Sequence, residues 1–568
     1  MTFRTALLFA AILPPLARPK PFEVFADRYF SALYAFAPSQ GTAAGLHQYD
    51  GRIEDLSAAS YRARSDTLHA LQTRLAELRP GPLSADERID AAMIDGAIRS
   101  ELQDIETLQN WRHNPMGYIA LPGAAVDGLM KRDFAPAAQR LRSVTARLRG
   151  IPAVLMAMRA NVTNPPKEFT DLAIRMAGGS VGFFRGAVAG WAKSSAAGDT
   201  ALLREFTISN DSAAEAMAAA TEWLKHDLLP RSKGRYAIGA RAFADKLHYD
   251  EMVDIPLDRL LAIGEANLKK DHDAFVAVAR QIDSSKTPAQ VMASLADDHP
   301  TAANLIPFVR GTLESARQFL IDKKIVTIPS EVRPAVLETP PYARSGGFAS
   351  MDTPGAYETK ATEAFYYVTP PEPDWDAKHV EEHLRAYNRP ASAVITVHEA
   401  FPGHFLQFIY AKQFPTKTRK LLGASSNPEG WAHYSEQMMI EEGFGGGDPK
   451  IHLAQLSAAL LRDCRFVVGI QLHTRAMSVE DGAKCFTDQA FQQPANAYEE
   501  ARRGAYNPTY LYYTLGKLQI YKLRDDFRRA MGTRYTLQGF HDAFVRQGAL
   551  PIKLLRQILL PGDTSPTL

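Results

Sequence analysis

Apolar residues recur at three- and four-residue spacing through most of this 568-residue chain. That period commits the polypeptide to helices with one buried face. FEVFADRYFSALYAF (22–36), SYRARSDTLHALQTRLAEL (60–78) and DERIDAAMIDGAIRSELQDIETL (86–108) show it most clearly, and abundant alanine favours the same state. The pattern changes near residue 324. KIVTIP (324–329), RPAVLETPP (333–341) and TEAFYYVTPP (362–371) are β-branched or aromatic runs bounded by proline, which predicts short strands. The Gly-, Pro- and Ser-rich stretch 343–358 predicts a loop. The expected fold is therefore mainly α with a small β-sheet near 324–370; a large helical enzyme of this length can run as two helical lobes around a cleft. Its divisions are a signal peptide (1–20), an N-terminal helical region (21–323), and a sheet plus helical region (324–568). No fixed-period repeat points to a solenoid.

Residues 1–20, MTFRTALLFAAILPPLARPK, carry Arg4, an apolar run from Ala6 to Leu13, and no acid before Glu23. This fits a secretory signal peptide, implying a periplasmic or secreted protein; without a working signal the chain stays cytoplasmic. No cysteine follows the apolar run, which argues against a lipid anchor. No other stretch approaches the length of a membrane span. With 65 basic and 63 acidic residues the net charge is +2, unlike the basic footprint of a nucleic-acid binder. Cys464 and Cys485 match no CxxC metal or redox spacing; they are either one disulfide or two thiols.

The chemistry concentrates in HEAFPGH, residues 398–404. The helical zinc-peptidase motif H-E-x-x-H sets two histidines four apart on one face. Here they are six apart, which on an ideal helix separates them by about 120°. Pro402-Gly403 changes that expectation. Proline lacks the N–H that a helix interior needs, and glycine takes conformations closed to other residues. The pair predicts a break between Phe401 and His404 that swings the second histidine back toward the first. A catalytic zinc takes three protein ligands and a water. Glu429, just after the helix-start signal Asn427-Pro428, is the third candidate. His433 and Glu436 share its face. His433 is read as a supporting or substrate-contacting residue, and Glu436 as a hydrogen-bonding support behind the ligands. A rival, HVEEH (379–383), formally matches the inverted H-x-x-E-H pattern, but its charged flanks predict an exposed helix.

HEAFPGHFLQ followed by NPEGWAHYSE resembles the bacterial family known as domain of unknown function 885. That family's paired signature reads HEAxPGHxLQ and EGWAxYxE. Its fold is similar to the largely helical gluzincin-type zinc metallopeptidases around thimet oligopeptidase and the thermostable carboxypeptidases. The resemblance covers about residues 22–560. It implies His398, His404 and Glu429 as ligands of one zinc ion, or another divalent metal, with Glu399 as general base. His433 stands where the family commonly has leucine. Tyr506, Tyr510 and Tyr513, at i, i+4 and i+7, resemble the tyrosines that stabilise the transition state in thimet-type enzymes. A phenol O–H can donate to a developing oxyanion, which makes Tyr513 and Tyr510 catalytic candidates and Tyr506 a substrate contact; an aromatic core stripe is the alternative. Tyr513 also matches the family's PGQAxxYxxG-like segment, although PGQ reads NPT here. Arg502 or Arg503 could meet a substrate carboxylate.

The expected function is a zinc metallopeptidase acting on short peptides, of carboxypeptidase or oligopeptidase type. The strand at 362–369, with Phe365 and Tyr366, would offer an open edge to an extended substrate. Two alternatives use the same residues: an inactive peptide-binding protein of the same fold, and a metal-dependent amidase or esterase. The pattern fixes no oligomeric state.

Overall fold

The computed structural model describes residues 20–340, 348–372 and 375–568. The export signal read at 1–20 lies, Lys20 apart, outside the described residues. The fold is mainly α, as the periodicity requires. The three clearest periodic runs become helices Pro21–Phe36, Ala58–Leu78 and Ala85–Leu102. The third starts with a reciprocal cap: the Ser84 hydroxyl accepts from the Glu87 N–H, and the Glu87 carboxylate accepts from the Ser84 N–H. Among the described residues no helix is long and apolar enough to cross a membrane.

One small sheet interrupts the helices. It comprises β1 (Ala335–Glu338), β2 (Ala349–Asp352) and β3 (Phe365–Val368), in the order β1-β3-β2. β1 runs parallel to β3, and β2 antiparallel, with Met351 opposite Tyr366. Two expectations fail here. β3 is the central strand, so the 362–369 segment has no open edge. β2 forms within the stretch expected to be a loop. The 324–329 run is no strand either, because side chains take its backbone groups. Asp542 accepts from the Thr327 N–H at 2.7 Å, His541 Nδ1 donates to the Ile325 carbonyl, and Tyr410 donates to that of Thr327.

The core runs across residue 323. Leu260, Leu268 and Phe275 of helix Leu257–Ile282 pack in one apolar cluster with Leu453, Leu460 and Phe466 of helix Pro449–Thr474. A second cluster joins β1 and β3, through Val336 and Tyr366, to Val397, Phe401, Phe405, Trp431 and Phe544. The two predicted metal-binding segments are embedded in this second core.

Candidate metal centre

Helix Arg389–Glu399 starts at Asn388, whose side chain accepts from the Ala391 N–H, and buries Ala393, Val394, Val397 and His398. It stops at Glu399. The chain turns through a cis Phe401–Pro402 bond, and a new helix, His404–Ala411, begins after Gly403. Gly403 folds against the end of the preceding helix, its N–H donating to the Val397 carbonyl at 3.0 Å. A Cβ here would stand 1.7 Å from the His398 carbonyl oxygen, so only glycine fits. The buried Trp431 indole donates to the Pro402 carbonyl at 2.7 Å and pins the turn. The predicted break is real, starting at Ala400. It brings the two histidine rings to 4.8 Å between centroids, at 87° to one another.

Glu429 lies in the first turn of helix Pro428–Glu441. That helix is placed by buried Asn427, which donates to the Leu550 carbonyl and accepts from Gln407. It also crosses helix Tyr512–Met531 at a glycine-on-glycine contact. A Cβ on Gly430 would meet the Gly516 Cα at 2.4 Å. Glu429 Oε2 lies 3.6 Å from His398 Nε2 and 3.5 Å from His404 Nε2. The three candidate ligand atoms are all within 4.8 Å of one another, the only such group among the described residues. Glu429 Oε2 is buried and has no hydrogen-bond partner. A carboxylate oxygen sealed from water and facing two imidazole nitrogens fits a cation, and this donor set suits zinc.

The surroundings bias the charge state of the candidate ligands. His398 Nδ1 donates to Glu436 Oε1 at 2.6 Å, leaving Nε2 to face the cluster. Arg462, 3.2 Å from the same nitrogen, pairs instead with Glu436 at 3.1 Å. Burial disfavours a charged His398, yet the Glu429 and Glu436 carboxylates outweigh it and lift its pKa to about 9. Burial likewise disfavours ionised Glu429, but both histidines hold it well below the usual carboxylate range. The site is built for positive charge. Glu436 is fully buried behind His398, at the place expected of a supporting residue.

Glu399 follows His398 as the last residue of its helix. Its Oε2 accepts from the Met351 N–H at 3.2 Å, so the outer edge of β2 faces the candidate base. Tyr513 is nearly buried; its hydroxyl accepts from Arg503 at 3.3 Å, while Arg462 and Arg465 lie over its ring at 5.5 and 5.1 Å. Tyr512, which sequence reasoning missed, packs on Tyr513 at 4.8 Å. Burial first, then neighbouring groups that include Tyr513 and Glu429, pushes the Tyr512 phenol up to about 12.

Several candidates fall elsewhere. The tyrosine spacing assumed one helix, but helix Pro494–Tyr506 ends before Tyr512 begins the next. Tyr510 therefore points into the core, wedged between Gly469 and Gly504 with its hydroxyl unpartnered. Tyr506 lines a separate cavity of about 210 Å³ with His113, Tyr236 and Pro508. His433 is fully buried; burial, then Lys517, drives its pKa down to about 3, and its neutral ring meets Glu436 rather than solvent. Tyr366 is buried against Thr396 and Phe365 lies beside Arg132, both on the central strand. Neither offers a strand edge. In HVEEH, His379 pairs with Asp376 and His383 with the Thr369 carbonyl, so the two do not converge. Cys464 donates to the Cys485 carbonyl at 3.1 Å, and both are free thiols.

A family model described as bacterial protein of unknown function (DUF885) matches residues 38–559. No curated protein matches the chain. Among solved structures, a putative lipoprotein of unknown function from Shewanella oneidensis is 27% identical, with a TM-score of 0.80 over 95% of this chain and 99% of that one. The putative lipoprotein from Colwellia psychrerythraea is 16% identical, with a TM-score of 0.82 over the same shares, and shares the fold.

Proposed function

The chain belongs to the bacterial family of unknown function DUF885, and for this member we propose a metal-dependent peptidase. His398, His404 and Glu429 would hold one divalent ion, zinc by preference. The observation that carries the reading is the buried, unpartnered Glu429 Oε2 set between two histidine nitrogens. A bound ion supplies Lewis acidity, bringing a water's pKa toward about 7 and polarising a carbonyl. Glu399 accepts the attacking water's proton and returns it to the departing amine. Tyr513 donates its phenol hydrogen to the oxyanion, since no described side chain accepts that hydrogen. Arg462 and Glu436 hold His398 in orientation.

A peptide substrate is favoured over a compact small molecule by β2. It is an edge strand whose outward Met351 N–H donates to Glu399, and an extended chain that takes over this N–H would add as a further strand and release the Glu399 carboxylate. The apolar, acid-free start of the sequence and the lipoprotein descriptions of its structural relatives support export.

The test is elemental analysis of purified protein, paired with a peptide-library digest. About one zinc per chain is expected, falling to a small fraction in His404→Ala. Glu399→Gln should keep the metal and lose about 10²–10⁴-fold in turnover. Wild-type turnover in Glu399→Gln would remove the mechanism.

A further inference from the structure

Four arginines gather around Tyr513 and the end of helix Pro494–Tyr506. Three have acidic partners. Arg462 pairs with Glu436, Arg465 forms a two-pronged bond to Glu500 at 2.7 and 2.8 Å, and Arg502 pairs with Glu499. Arg503 has no carboxylate within ion-pairing reach among the described residues. Its one polar contact there is the Tyr513 hydroxyl at 3.3 Å. The side chain is half-buried, and none of its nitrogens is both sealed and unsatisfied. A guanidinium carries five N–H donors in a planar fork. A partly desolvated cation with most of its donors free has an incomplete environment, and a planar anion completes it.

The metal centre is close. Arg462 touches His398 at 3.2 Å and lies over the ring of Tyr513, whose hydroxyl Arg503 holds. We infer that the Arg503 guanidinium, held by the Tyr513 oxygen, is a subsite for a substrate carboxylate: the free C-terminal carboxylate of a short peptide held across the metal centre. This rests on the peptidase reading and sharpens it from peptides in general to peptides read from their C-terminus.

The test separates the two ideas. The zinc-loaded full-length Glu399→Gln protein is titrated calorimetrically with tetra-alanine, tetra-alanine amide, and Ala-Ala-Asp-Ala amide. Tetra-alanine should bind at least tenfold tighter than its amide, and adding Arg503→Gln should shrink that ratio to within twofold. Arg502→Gln, which removes a paired arginine, should leave it unchanged. Equal binding of acid and amide, including no detectable binding of either, overturns the subsite without needing any variant. Rescue of the amide by the aspartate side chain overturns the C-terminal assignment. If Arg503 merely positions Tyr513, the wild type shows no acid–amide preference in kcat/KM, and Arg503→Gln lowers turnover of both alike. A binding preference that persists while wild-type protein cleaves no peptide leaves the subsite standing and removes the peptidase. Cleavage with equal kcat/KM for acid and amide does the reverse.

Discussion

Gly403→Ala is the sharpest perturbation of the proposed metal centre, because it adds one methyl group and alters no candidate ligand side chain. The new Cβ would sit 1.7 Å from the His398 carbonyl oxygen and 2.5 Å from that of Val397. Both are backbone atoms, so no side-chain rotation relieves the overlap. To restore even a tight contact the turn must move by more than an ångström, and His404, the next residue, moves with it. A zinc–nitrogen bond is about 2 Å long, so that displacement takes His404 out of coordination. Zinc affinity should fall about 100-fold or more, at or beyond the upper end seen for lost supporting partners. Stability should fall by about 3 kcal/mol, the upper part of the usual range for one substitution. Competition against a chromogenic chelator reads the first, and urea denaturation of metal-free protein the second. Gly179→Ala is the control: mid-helix and exposed, with nothing within 4 Å of its added Cβ. It should be neutral or stabilising by up to about 1 kcal/mol. If Gly403→Ala binds zinc within threefold of wild type and unfolds at the same urea concentration, the turn does not set the ligand geometry.

Further outcomes follow from the same contacts. Glu436→Gln, which takes the negative charge out of the His398 and Arg462 contacts, should weaken zinc binding about 10–100-fold, read by the same chelator competition. Tyr510→Phe should leave turnover unchanged and stability equal or higher, because its hydroxyl is buried without a partner; Tyr513→Phe should cut kcat severely. Burial first holds His473 near pKa 4 and His541 near 3, both neutral in the fold. Unfolded, they bind protons near pH 6.5. Their contribution is therefore complete above about pH 6.5 and is lost as pH falls toward 4. The slope is about 1.4 kcal/mol per pH unit for each, and urea midpoints at pH 7, 6 and 5 measure it. A flat profile would refute the neutral assignment.

What the sequence disclosed depended on whether the signal was local. The break in HEAFPGH was legible because proline and glycine announce it between the histidines, and Asn427-Pro428 marked the start of the Glu429 helix. The helical class was legible from period alone. The tyrosine stripe misled because a helix was assumed across Asn507-Pro508, where the chain ends one helix and starts another. The 324–329 run has strand composition, but its backbone is taken by Asp542, His541 and Tyr410, more than 80 residues away in sequence. β2 is too short and polar to stand out from its loop, so the wrong strand was given the free edge. Arg462 carried no signal at all: its place beside His398 and Tyr513 exists only once helix Pro449–Thr474 is packed.

The glycine-on-glycine crossing of Gly430 and Gly516 has a mechanical meaning. With no side chain between the two helices, the reach from Glu429 to Tyr512 and Tyr513 is set by main chain against main chain. That distance works as a fixed calliper: it holds through changes in the surrounding side chains and would open only if one of the two glycines acquired bulk. Ligand and phenol would then part together with their helices, altering which transition state the cleft can span before any reacting group has been touched.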